Sequence, residues 1–258
     1  MKLRWLWWLV PLYFIGLVVY APASLLQWLL PAGSGISLSN LTGTLWQGQG
    51  SVTVVLAPQR SLQLEQVSWR LHPSALLRGQ AALDVTIPAH NVLSGHLTTG
   101  LTVGGTAELN GRLSGQLDTA IRTFNLPVPL TMAGDWQLVI DNYHVDDLNQ
   151  GRWCNQLAGK LTTTATQTRV NQRWLDLGDY ATALSCTANQ EISATLNADN
   201  SLGLSFNGLV AGTFQAPEVK LQGKLQPHVR TPREVTDVLI FLGEPDSRGA
   251  YPFSLTLK

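Results

Sequence analysis

The chain has 258 residues, with 17 basic and 17 acidic side chains and a formal charge of zero. That balance removes the electrostatic case for nucleic acid or for broad attraction to an anionic surface. Charged residues make up 13% of the chain, about half the usual share, so Thr, Gln, Asn and Ser carry the polarity, as in β-rich proteins whose strands alternate apolar and hydroxyl or amide side chains.

The first predicted element is apolar from Trp5 to Leu30, and no charged residue occurs between Arg4 and Arg60. Residues 5–23 are expected to form a transmembrane helix, since a spanning segment has to satisfy its own backbone hydrogen bonds. Trp5, Trp7 and Trp8 at one end and Tyr20 at the other resemble interfacial aromatic belts, with Phe14 in the apolar middle. Lys2 and Arg4 precede the run, so the positive-inside bias keeps residues 1–4 cytoplasmic and exports the rest of the chain. Ala21-Pro22-Ala23 imitates a signal-peptidase site, but the apolar run is longer than a signal h-region and Pro22 sits within the site, which favours an uncleaved anchor. Residues 24–35 form a juxtamembrane piece and linker, with Trp28 expected at the headgroups. Residues 36–258 form the periplasmic β-rich body.

In that body Ile36 to Leu41 alternates as a strand, and Val52 to Leu56 comes after the Gly-rich stretch Gly43-Thr44-Leu45-Trp46-Gln47-Gly48. Further strand signals lie at Leu62–Leu71, Ala82–Ile87, Leu97–Val103, Leu157–Thr163 and Leu202–Phe206, with one helical turn at Pro73–Leu77. A pattern of apolar residue, spacer, glycine, spacer, apolar residue recurs, beginning at Leu41, Leu93, Leu109, Leu113, Met132, Leu157, Val210 and Leu221. On a strand it sets a glycine between two apolar neighbours on one face. Repeated, it suits either a sheet curling into an apolar trough or an ordinary sandwich in which glycine is merely frequent.

Pro127 and Pro129 mark an edge or connection. The polar stretch Asn142–Gly151, with Asp141, Asp146 and Asp147 nearby, reads as a solvated loop, since it lacks calcium-loop spacing. Cys154 and Cys186 pair if exported into an oxidising periplasm and stay ordinary thiols in a cytosol. Thr231-Pro232-Arg233-Glu234 is a capping box opening a helix with an apolar stripe at Val235, Val238, Leu239 and Leu242. A last strand lies at Tyr251–Leu257.

No nucleophile elbow, P-loop or HExxH occurs, and Gly48-Gln49-Gly50 opens no helix. His72, His90, His96, His144 and His228 are scattered without metal-ligand pairing, and Glu65, Asp84 and Glu108 are expected to face solvent. No catalytic residue, cofactor or metal is expected.

At Gly43-Thr44-Leu45-Trp46-Gln47-Gly48, shortly after the anchor, and again at Leu242-Gly243-Glu244-Pro245-Asp246-Ser247-Arg248-Gly249-Ala250-Tyr251-Pro252, the chain resembles the type II secretion system protein N family. The resemblance implies a non-enzymatic, single-pass component of the Gram-negative inner membrane that assists export of folded proteins across the outer membrane. Its implied partners are other secretion subunits, the inner-membrane platform and the secretin, with Gly43, Leu45, Trp46 and Gly48 as the candidate interaction surface. A distant likeness to AsmA-like and bridge-type proteins implies an alternative, a carrier of lipid or another hydrophobe in an apolar β-groove. The expected fold is therefore mainly β: one N-terminal transmembrane helix, a curved and largely antiparallel sheet, and a short C-terminal helix.

Overall fold

A computed structural model describes residues 6–30, 35–57, 60–124, 131–170, 172–213, 216–229, 231 and 244–257. Helix α1 spans Leu6–Val19, followed by a 3-10 turn at Ala23–Leu25 and a short helix α2 at Leu26–Leu29. The expected anchor helix over 5–23 thus ends four residues early, because the chain leaves helical geometry at Tyr20 and Pro22 bridges in antiparallel fashion to Thr44. No helix among the described residues is long and apolar enough to cross a membrane. α1 is nonetheless apolar around its circumference, and Leu12, Tyr13, Phe14, Ile15, Leu17, Val18 and Val19 are all exposed. Trp5 lies outside the described residues, as do the side chains of Trp7 and Trp8.

The contacts divide the chain into two units, Met1–Asn91 and Val92–Lys258. The first holds an antiparallel meander of β1 (Ile36–Gly43), β2 (Gln47–Ala57), β3 (Arg60–His72) and β4 (Gln80–Ile87), with helix α3 (Pro73–Leu76) between the last two. Alternation drives it: Leu62 and Leu64 of β3 are buried with Val67, Ala75 and Ile87, while Gln63 and Glu65 face water. Asp84 departs from the expected solvated carboxylate, for its Oδ2 lies 2.7 Å from His72 Nε2 across the β3 and β4 pair.

The second unit runs, again in chain order, through β5 (Leu93–Thr102), β6 (Ala107–Gln116), β7 (Met132–Val145), β8 (Gln156–Val170), β9 (Arg173–Cys186), β10 (Ile192–Leu196), β11 (Leu204–Thr213), β12 (Ala216–Leu225) and β13 (Tyr251–Leu257). Within each unit the described strands pair antiparallel with their sequence neighbours, so no Greek-key crossover occurs among the described residues. Helix α4 (Leu117–Phe124), which the sequence reading does not anticipate, leaves β6 directly, with Asp118 paired to Arg122 one turn on. β7 also extends to Val145, further than the polar residues Asn142 and His144 suggest, because a register shift after Ile140 lets both strand partners continue. Asp146 and Asp147 then find partners within the loop: exposed Asp146 takes His144 and Asn155, and Asp147 takes Gln150. No group of three metal-ligating side chains forms among the described residues.

The glycine pattern divides by role. Gly43 and Gly212 sit at turns, not in strand middles. Others lie beneath a large side chain from the paired strand: a Cβ on Gly111 would stand 2.7 Å from Leu97, one on Gly115 would stand 3.0 Å from the Trp136 indole, and one on Gly223 would strike the Phe253 ring. These notches are filled by cross-strand neighbours, the aromatic cover that steadies glycine in sheets. At these positions they offer no open groove.

Cys154 and Cys186 are joined by a disulfide, with Cα atoms 6.0 Å apart, tying the loop after β7 to the end of β9. Cys154 is wholly buried. Around it Tyr143 donates to the Trp153 carbonyl and Trp153 Nε1 to the Ala211 carbonyl. Burial raises the Tyr143 hydroxyl above its ordinary value.

The expected C-terminal helix from Thr231, with Glu234 and the Val235 to Leu242 stripe, lies outside the described residues, as do Pro127 and Pro129. Thr231 itself is buried; its hydroxyl accepts from His228 N and donates to the Ser201 carbonyl. The described part of the tail motif, from Glu244 on, holds a tight turn into β13 in which Asp246 accepts from the amides of Arg248 (2.8 Å) and Ala250 (2.9 Å). Those amide bonds, Ala250 first, hold the carboxyl below the usual carboxylate range. A depressed acid stabilises the turn above its ordinary pKa and loses that contribution as pH falls through the folded value. The Arg248 and Ala250 amides should therefore be protected from hydrogen exchange at neutral pH and loosen on acidification below about pH 4. In Asp246→Ala they should already exchange fast at neutral pH; equal protection in both proteins would refute the assignment.

Candidate functional site

The sequence singles out Gly43, Leu45, Trp46 and Gly48, and the structure assembles all four in the turn between β1 and β2. Gly43 takes φ +95°, open to glycine and costly to other residues. It pairs with Gly48 at the end of the β1 and β2 ladder. Between them Thr44 N donates to the Gln47 carbonyl at 2.9 Å, and Gln47 N donates back to the Thr44 hydroxyl at 3.2 Å. Gly48 faces Trp69 across the β2 and β3 pair; a Cβ there would lie 2.5 Å from the indole and collide with the Thr42 carbonyl.

This turn grips the exit of α1. Trp46 Nε1 donates to the Val18 carbonyl at 2.8 Å, and Leu45 N donates to the Ala21 carbonyl at 2.8 Å. Carbonyls of a final helical turn lack intrahelical donors; that of Val18 takes Ala21 N at 3.3 Å and the indole as its second, shorter bond. Trp69 Nε1 donates to the Leu45 carbonyl, and Leu71 N to the Trp46 carbonyl at 2.7 Å, fixing the turn from the third strand. Every main-chain and indole group named here has a partner. Trp46 is half-buried, with its polar edge spent inside its own unit.

Residues the sequence reading missed complete the joint. Ala21 and Ala23 are buried, Ala23 to 2% exposure. Their small side chains let the chain pass close to the hairpin. Gln27, a lone amide in an apolar run, donates to the Leu38 carbonyl at 3.0 Å, so residues 21–27 run antiparallel along β1. Its polarity was the legible signal. Phe14 and Tyr20 remain exposed and outside the joint.

The residues named in the joint include no acid, base or metal ligand, so its chemistry is mechanical: it couples a bare apolar helix to a sheet. Elsewhere, an open depression of about 440 Å³ lies between β8, β9 and the turn after β10, lined by Lys160, Thr162, Tyr180, Asn197 and Asp199 among others. The Asn200 amide at its margin is consumed by the Asn197 and Leu204 carbonyls.

Comparison with known proteins bears on the whole chain. The family model described as Type II secretion system (T2SS), protein N matches residues 34–254. Type II secretion system protein N of Vibrio cholerae serotype O1 is 28% identical over 241 residues, covering 93% of this chain and 91% of that protein. The protein of the same name from Aeromonas hydrophila is 30% identical over 247 residues, covering 93% and 92%. No solved structure matches.

Proposed function

Since the chain belongs to the type II secretion system protein N family, we propose that it is a non-enzymatic inner-membrane component that assists export of folded proteins by contacting other secretion subunits. In this reading residues 1–4 are cytoplasmic, 5–23 anchor the chain, 24–35 lie beside the membrane and 36–258 form the periplasmic body. The inner-membrane platform and the secretin are its neighbours.

The observation that carries the reading is α1, whose side chains from Leu12 to Val19 other than Gly16 are exposed apolar groups. A helix apolar all round is at home in hydrocarbon and not in water. Its described length is about 21 Å, against about 30 Å of bilayer core, and a short apolar span is accommodated by local thinning of the bilayer. Cleavage after Ala23 would remove the Leu45 to Ala21 bond and the Pro22 bridge, which supports an uncleaved segment. The Cys154 and Cys186 cross-link suits an oxidising compartment.

Cross-linking in intact envelopes followed by pull-down, with a periplasm-dependent reporter fused after Lys258, tests the proposal. Expected are an active reporter and captured secretion subunits. In Trp46→Phe, which keeps an aromatic ring and loses the N–H worth about 1 kcal/mol, capture should fall while the β-sheet signal persists. A cytosolic Lys258, or no secretion subunit among the captured neighbours, would overturn it.

A further inference from the structure

Two leucines on the first unit stand in water on a turn built to hold them there. Leu77 is 91% exposed and Leu76 41%. The turn is not slack: Pro73 opens α3, buried Ala75 roots it, Arg78 N and Gly79 N donate to the Ala75 and Leu76 carbonyls at 2.9 Å, and Gly79 closes it at φ +74°. Such geometry satisfies the helix end and projects apolar side chains outward.

Strand direction decides where they project. β1 runs toward the Thr44 to Trp46 turn, β2 away, β3 back toward Pro73, and β4 away again, so the two turns share one end of the sheet. The bond from Leu71 N to the Trp46 carbonyl joins them directly, and Trp46 holds the Val18 carbonyl at the exit of α1. Leu76 and Leu77 therefore lie at the end where the apolar helix leaves the body. Exposed Arg78 follows them directly in the turn, and exposed Arg70 stands on β3 two residues before its end, opposite Asp84, whose carboxylate is engaged by His72.

We infer that the Leu76-Leu77-Arg78 turn is a second membrane contact, a foot that sets its leucines into the periplasmic leaflet of the bilayer holding α1 and its arginines against phospholipid phosphates. The inference rests on the anchored reading above. Apolar side chains beside cations are what a phospholipid surface accepts, the first in its acyl boundary and the second at its headgroups. Continuity with α1 selects this occupant. Trp28, also exposed, is the rival contact, but Gln27 is tied to Leu38, which places it some six residues along β1 from Thr44, or about 20 Å. A body resting on its foot holds Trp28 off the headgroups, contrary to the position expected from the sequence, and only the start of 24–35 then lies beside the membrane.

The test uses the full chain in nanodiscs of phosphatidylethanolamine and phosphatidylglycerol. Ile15→Cys, Trp28→Cys, Val55→Cys and Leu77→Cys each carry an environment-sensitive fluorophore, read against lipids bearing nitroxide on headgroups or on acyl chains. All four sites are exposed and the native cysteines are bonded to each other. Expected are acyl-chain quenching at 15, headgroup quenching at 77, and little at 28 or at 55, which lies at the far end of β2. Alkylation of unlabelled Leu77→Cys by an impermeant maleimide should be about tenfold slower than at Val55→Cys, the protection that burying one leucine supports. Quenching at 15 without quenching at 77, or stronger quenching at 28 than at 77, overturns the foot and leaves the anchor standing. Position 77 shielded in envelopes but not in nanodiscs assigns it to a protein neighbour and also overturns the foot. Absence of quenching at 15 removes the anchor and the foot together.

Discussion

Replacing both Cys154 and Cys186 by alanine is expected to destabilise the second unit by about 3 to 4 kcal/mol in the chain-entropy model. The cross-link spans 32 residues of sequence, and that interval contains the whole of β8 and β9. Releasing it frees the unfolded chain to separate the loop after β7 from the end of β9. Each loses its covalent reference for folding. Both cysteines are changed together because a single substitution would leave a reactive thiol within a buried site. The measurement is denaturant unfolding of oxidised wild type against the double variant, with amide exchange monitored in peptides from β8 and β9. Unfolding free energies agreeing within about 0.5 kcal/mol would mean that Trp153, held by the Gln190 and Ala211 carbonyls, closes this loop without covalent help.

Gly48→Val should be nearly as damaging, at about 3 kcal/mol of the first unit. The new Cβ would meet the Thr42 carbonyl on one side and the Trp69 ring on the other. Neither can yield cheaply: Thr42 belongs to the paired β1 ladder, and the Trp69 indole is fixed by its bond to the Leu45 carbonyl. Displacing Trp69 would loosen Leu45 and, through it, the hold on Ala21. The variant should therefore show faster exchange at Leu45 as well as a lower unfolding midpoint. Gly48→Val with Leu45 still protected would mean that β1 and β2 can shift register without disturbing the clasp.

The contrast between Gly48 and Trp46 marks how much of the site could be read in advance. Gly43, Leu45, Trp46 and Gly48 stand out in the sequence as a compact Gly-bounded aromatic turn, and local chemistry is enough to place a turn between two strands. It is not enough to say what the turn grips. Val18 and Trp46 are separated by 28 residues, and nothing in either neighbourhood encodes the other, since a helix-end carbonyl can accept from any donor or from water. Gln27 was the readable hint, an amide with no polar company. Likewise α4 escaped because its eight residues continue from a strand without a break, and Asn142 and His144 looked like loop residues because a register shift, invisible in composition, carries β7 past them.

The sequence by itself determined the class of the fold and the apolar front end, because alternation of period two and a long uncharged run are local properties with one low-energy solution each. The tertiary structure decided which side chains fill the glycine notches, that Leu97, Trp136 and Phe253 lie over Gly111, Gly115 and Gly223, and that α1 hands over to the sheet through Trp46. Those outcomes depend on strand register and on contacts between distant residues. A shift of one position would turn the same side chains to the opposite face, and only the assembled ladders select among such alternatives.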